Sequence, residues 1–187
     1  MKRQAVLDAA VRLFNEKGFQ STSLDDVAGA LQVTKPTIYH YFASKDEILF
    51  ECVRLGLEHI RRAVESASTG SSSGLERLKT LIHEYALVKT RNFGICVSRT
   101  TDDQLSSASR LHFRALKREI NQLLQNVIVA SVADGSVRPV DPRLTAFAVA
   151  GALNWIAHWY RPDGGMAPEA IADGMVEMLV SGLAPRA

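Results

Sequence analysis

The 187 residues are 47% hydrophobic with a formal net charge of +2, which excludes a disordered chain and a binder that works by bulk charge alone. In the first 50 residues Lys2, Arg3, Arg12, Lys17, Lys35 and Lys45 are balanced by Asp8, Glu16, Asp25, Asp26, Asp46 and Glu47, so a nucleic-acid role has to rest on where charges sit. Cys52 and Cys96 make no disulfide framework and fit a reducing cytoplasm, Asp8 and Arg12 interrupt any signal-peptide core, and the longest uncharged run, Leu144 to Tyr160, falls just short of a membrane span.

The apolar period is helical nearly throughout. Val6, Ala9, Ala10, Leu13 and Phe14 predict a first amphipathic helix that Gly18 ends, with Phe19 folding back onto it. Ser23, with Asp26 three residues on, predicts the N-cap of a short second helix carrying Leu24, Val27, Ala28 and Leu31. Gln32 and Val33 read as a tight turn, and Thr34 as the cap of a third helix with Pro36 in its first turn. Ser44 and Glu47 form a capping box for a fourth helix from Lys45 to about Ala67. The Gly/Ser-rich link at 68–74 follows, then helical patterns at about 75–91, 93–101, 105–133, 141–160 and 167–183. No strand and no repeat is expected. The predicted fold is all-α, with a helix-turn-helix module over 1–46 and a larger bundle over 47–187.

The third helix has a face to spare. At about 100° per residue, Ile38, Tyr41 and Phe42 point inward, Pro36 and His40 fall opposite them, and Thr37 and Tyr39 lie on the flanks. Pro36 and His40 could approach base edges in a major groove, while the Thr37 and Tyr39 hydroxyls could reach phosphates on its two walls. Lys45 sits where a helix N-terminus favours a phosphate. Tyr41 divides between core packing and a hydroxyl contact to phosphate.

Residues 5–49, "AVLDAAVRLFNEKGFQSTSLDDVAGALQVTKPTIYHYFASKDEIL", resemble the N-terminal region of the TetR family of transcriptional regulators. The resemblance lies in the helix-one pattern AA-x-x-LF-x-x-KG, in T-S-x-x-D-V-A, in V-x-K-x-T-I-Y-x-Y-F as recognition helix, and in S-K-D-E-I-L. It implies a homodimer on a palindromic operator, usually repressing, with a ligand pocket in the C-terminal bundle. It carries DNA contacts onto Lys35, Pro36, Thr37, Tyr39, His40, Tyr41 and Lys45, and phosphate contacts onto Thr22 and Ser23. Only Met1, Lys2, Arg3 and Gln4 precede the expected first helix, where many relatives have a longer basic arm.

In the C-terminal half, "LTAFAVAGALNWIAHWY" is apolar nearly all round and predicts a helix buried on several faces. The last helix adds a stripe of Ile171, Met175, Met178, Leu179 and Leu183. Two such helices at the end of a chain suggest a symmetric interface; Phe147, Gly151, Trp155, Met175, Met178 and Leu179 are its candidates, and the resemblance implies a four-helix dimer interface. The C-terminal tail also resembles the acyl-CoA-responsive subgroup of the family. Arg110, Arg114, Lys117 and Arg118 share one helix face, with Arg61 and Arg62 on the fourth helix. Such a face could hold the phosphates of a coenzyme A, although a solvated surface is the commoner meaning. Candidate pocket residues are His59, His83, Phe93, Cys96, Phe113, Leu116, Asn154 and His158.

No catalytic constellation is expected. "GSSSG" at 70–74 matches G-x-S-x-G formally, but it lies in a link after a helix, without the strand that strains a nucleophile elbow. His and Cys never fall at metal-ligand spacings, and no Gly-rich phosphate loop occurs, so neither metal nor cofactor is expected. The expected function is a ligand-responsive dimeric repressor released from DNA by a small molecule, such as an acyl-CoA thioester, a hydrophobic drug or another metabolite. The alternative is a helical small-molecule binder or enzyme with a vestigial DNA module.

Overall fold

The computed structural model describes residues 3–68 and 73–181. Among these residues the chain is all helical: α1 (Arg3–Lys17), α2 (Leu24–Ala30), α3 (Lys35–Tyr39), α4 (Lys45–Ser68), α5 (Gly74–Lys89), α6 (Asn92–Arg99), a 3-10 turn (Asp102–Gln104), α7 (Ser107–Ala133), α8 (Pro142–Trp159) and α9 (Pro168–Ser181). The expectations for Met1, Lys2, Ser72 and Leu183 lie outside the described residues.

Local chemistry sets most helix ends. Gly18 takes φ +86, which only glycine adopts without strain, and its N–H closes α1 onto the Phe14 carbonyl. Phe19 then meets Phe14 edge-on at 5.3 Å. Ser23 and Asp26 form a complete capping box on α2. At α4 the Ser44 hydroxyl accepts from Glu47 N, and Glu47 reaches back to the N–H of Ala43. Asp141 caps α8 through Leu144 N. Thr34 departs from expectation: it occupies the N-cap position of α3, but its hydroxyl meets that of Thr37 at 3.1 Å and caps nothing. The turn before it is held at Gln32, a non-glycine residue at φ 54.

α1 packs on α2, α4 and α6, and α2 on α3, which makes the small N-terminal module. α4 runs on from it and packs against α5, α6 and α7; α8 lies on α5, α6 and α7, and α9 on α5. One continuous apolar core spans Val6 to Val180, so the module is welded to the bundle through α4 and α6. At Gly56 these two helices touch closely: a Cβ there would lie inside contact distance of the Phe93 carbonyl and the Val97 side chain. Arg99 of α6 adds a polar tie, donating to the Asn15 carbonyl of α1 at 2.8 Å and to the Ala157 carbonyl of α8 at 3.0 Å.

Candidate functional site

The outer face of α3 is built as the helical wheel predicts. Ile38 and Phe42 are buried and anchor it; Pro36, Tyr39 and His40 are exposed, and Lys35, Thr37 and Tyr41 are half-buried. The His40 and Tyr41 rings stack edge to face at 5.1 Å, which stiffens the end of the helix. Lys35 is paired with Asp25 of α2 at 2.8 Å, an exposed bridge that a phosphate could displace at little cost.

Three expected contacts are changed by the packing. Thr22 is buried, and its hydroxyl donates to the Gly18 carbonyl at 2.8 Å and the Leu13 carbonyl at 3.3 Å, so its side chain is a structural tie and not a phosphate ligand. Ser23 is exposed, but its hydroxyl and N–H both bond Asp26, whose carboxyl is held down to about 2 by those bonds. Lys45 donates to the carbonyls of Phe19 and Thr22, both at 2.9 Å, and lies 4.3 Å over the Phe19 ring. Only the third ammonium proton is left for a phosphate. Arg3 and Gln4, expected ahead of the first helix, belong to α1. Arg3 turns inward to Glu51 at 3.1 Å and covers the Phe42 ring at 4.5 Å.

The bundle encloses a cavity of about 340 Å³ between α4, α5, α6, α7 and α8. Leu57, Ile60, Val97, Ile120 and Leu124 give it apolar walls. Its polar groups are the hydroxyl of Tyr85, which meets Asn154 Oδ1 at 3.2 Å, together with Lys89, Ser98, Thr100, Lys117, Asn121 and His158. Among the described residues no carboxylate lines it. A second recess of about 470 Å³ shares Lys117, Asn121 and Phe147 with the cavity and adds Arg114, Arg118 and Gln122. The cavity therefore opens beside a cationic patch. In that patch Arg114 bonds Asp102 at 2.6 Å, Lys117 lies over the Phe113 ring at 4.2 Å, and neither Lys117 nor Arg118 has a carboxylate partner among the described residues.

Of the expected pocket residues, Asn154 and His158 line the cavity. The other six do not. His83 faces α9, where Nε2 lies 3.4 Å from Asp173. His59 packs against Phe93 at 6.1 Å, and burial lowers its pKa. Cys96 is turned toward α1 with its thiol pushed up to about 12 by burial. Phe113 is buried beneath Lys117, and Leu116 lines a separate small recess with Arg54 and His112. Helical period explains the exchange: on α5, Tyr85 and Lys89 share the inward face while His83 is turned away, and on α7 the inward stripe is Lys117, Ile120, Asn121 and Leu124. Arg110 hydrogen-bonds Ser107 and does not reach the recess. Arg61 and Arg62 are likewise withdrawn, paired with Glu58 and Glu65 along α4; the Arg61 and Arg62 bonds hold the Glu58 carboxyl down to about 2.

Lys89 is the cavity residue that sequence reasoning misses. It has no exposed surface, and burial, with Lys117 nearby, pulls its pKa down to about 7. A signal exists: Leu78, Ile82, Tyr85 and Lys89 continue one apolar stripe, on which a lysine is out of place.

The candidate dimer residues fall on the outer side of α8 and α9. Phe147, Trp155 and Met178 are 53%, 63% and 72% exposed, and Leu144 and Trp159 of α8 are exposed too; large apolar side chains gathered on the outside of the last two helices fit an interaction patch. Met175 and Leu179 are half-buried against the core. Phe147, Gly151 and Trp155 also rim the cavity, so the two expected sites meet there.

Comparison with known proteins agrees with this architecture. Residues 6–52 match the model of bacterial regulatory proteins of the tetR family, and residues 71–183 match the tetracyclin repressor-like C-terminal domain. The TetR family transcriptional regulator PfmR from Thermus thermophilus is 34% identical, with coverage of 96% of this chain and 99% of that one and a TM-score of 0.87. AibR, solved in complex with isovaleryl coenzyme A and operator DNA, is 30% identical, with coverage of 95% and 97% and a TM-score of 0.83. The HTH-type transcriptional repressor KstR2 of Rhodococcus jostii (strain RHA1) is 29% identical over 98% of this chain and 91% of its own.

Proposed function

Because the chain belongs to the TetR family of DNA-binding transcriptional regulators, we propose that it is a dimeric repressor that holds a palindromic operator and releases it when an acyl-CoA thioester fills the cavity. The observation that carries this reading is the junction of cavity and recess at Lys117, Asn121 and Phe147. An apolar chamber takes an acyl group, and a cationic patch at its edge takes phosphates of the coenzyme. AibR, whose complex holds both isovaleryl coenzyme A and operator DNA, supports the same pairing of ligand and target.

Two copies joined through the α8 and α9 patch would present two α3 helices to successive major grooves. On DNA, Pro36 and His40 approach base edges; Lys35, Thr37, Tyr39, Tyr41 and the remaining proton of Lys45 serve the phosphate walls, with the Ser23 region beside them. A ligand that fits better when α7 and α8 shift moves α4, and with it the α3 spacing.

The test is selection of genomic fragments on the purified protein, followed by gel shifts with the recovered site. Recovery of a palindrome that acyl-CoA releases, and that free coenzyme A does not, is the expected result. Retention by salt-labile binding without sequence preference would sink the repressor assignment. Release by hydrophobic drugs but not by thioesters would replace the ligand class.

A further inference from the structure

Lys89 is the most unusual charge in the protein. Its ammonium donates to Ser98 Oγ at 3.0 Å and to the Gly94 carbonyl at 3.4 Å, and lies 5.5 Å from the centre of the Tyr85 ring. All these partners are neutral, and among the described residues no Asp or Glu borders the cavity it lines. Among the described residues, the titratable groups facing that space are Tyr85 and Lys89 from α5, Lys117 from α7 and His158 from α8; α4 and α6 contribute none. A buried cation without a counter-ion is costly. Among the described residues, one of its three protons has no hydrogen-bond acceptor. Beside it the Tyr85 hydroxyl is spent on Asn154 Oδ1, so the donors left at this end of the chamber are the Lys89 ammonium and the Asn154 amide N–H groups, and only the first carries charge.

We propose that Lys89 is the polar anchor of the effector, donating its third hydrogen bond to the carbonyl or carboxylate oxygen that heads an acyl chain. The chain then lies along Leu57, Ile60, Ile120 and Leu124. The inference rests on the cavity being the effector site, and it goes further by assigning the atom that reads the ligand's head group. The same oxygen chemistry is offered by a thioester and by a free carboxylate. The basic recess acts only on the thioester, through the coenzyme phosphates.

The test is calorimetric binding of two matched series, straight-chain acyl-CoA thioesters and the corresponding free carboxylates, to the wild-type protein and to Lys89→Met. Unchanged operator affinity reports that the variant is folded. Lys89→Met is expected to bind the active series about 10- to 100-fold more weakly, the loss typical of a hydrogen bond to a charged group. Wild-type binding at pH 8, repeated in two buffers of different ionisation enthalpy, is expected to show proton uptake, because an acceptor on the ammonium favours its charged form. That measurement needs no variant. Equal affinity in Lys89→Met, or no proton uptake by the wild type, overturns the anchor and leaves the acyl-CoA reading standing. Lys89-dependent binding of carboxylates without thioesters keeps the anchor and removes the coenzyme reading. Binding of neither series overturns both.

Discussion

Asp46 accepts the backbone N–H of Ser106 at 2.7 Å. It also accepts the Ser109 hydroxyl at 3.3 Å, so a carboxylate in the first turn of α4 caps the N-terminus of α7. α4 leads out of the DNA-binding module, and α7 carries Lys117, Ile120, Asn121 and Leu124 into the cavity. The two residues form a direct polar joint between the DNA side and the ligand side.

Removing that joint should weaken communication more than binding. Asp46→Ala is expected to keep operator affinity close to wild type while lowering the coupling between effector and operator by about 1 kcal/mol. Operator titrations with and without acyl-CoA measure both quantities. An unaltered coupling would show that the signal bypasses Asp46.

His40 and Lys45 should fail in different ways. His40→Ala is expected to cost about 1–3 kcal/mol on the cognate site and nothing on random DNA. Lys45→Ala leaves the carbonyls of Phe19 and Thr22 without their donor, so thermal or urea unfolding should show a loss of about 1–3 kcal/mol. Its salt dependence should also flatten by about 0.9 in log–log slope for the one lost phosphate contact. An unchanged slope would leave Lys45 with its structural role alone.

Lys89 should give the protein a stability that rises with pH. Burial lowers its pKa from 10.5 to about 7, so between those values the unfolded chain binds more protons than the folded one. The penalty is complete below about pH 7 and is relieved as pH climbs toward 10. Urea unfolding of the ligand-free protein at pH 7 and pH 9.5 should show this gain, and Lys89→Met should remove it.

Gly56→Ala should force α4 away from α6. A methyl group there meets the Phe93 carbonyl, which is backbone and cannot rotate aside. A loss of about 1–3 kcal/mol is expected, read by denaturant midpoint. A midpoint equal to wild type would mean that α4 is free to shift on α6.

The DNA-facing half of this architecture is legible in sequence because it is local. Ser23, Gly18 and Ser44 signal helix ends through their own hydrogen bonds, and the seven residues from Pro36 to Phe42 suffice to sort Pro36 and His40 from Ile38 and Phe42. The cavity is another matter. Whether His83 or Lys89 faces it depends on which side of α5 is taken by α9, and that is decided far away in the chain. Thr22 and Lys45 escape a sequence reading for a related reason: a surface-seeking side chain is drawn into carbonyls left open at the end of α1 and in the following turn.

Both tryptophans of the chain lie on α8, Trp155 stacked on His158 at the cavity rim and Trp159 one turn further on, still 44% exposed. The native emission of this protein is thus the optical signature of a single helix. Dilution should shift it if subunits separate across α8, and ligand should quench or shift it at constant protein concentration if the rim closes. Polarity at one helix surface becomes visible without any label, and the two events can be told apart by which variable moves the spectrum.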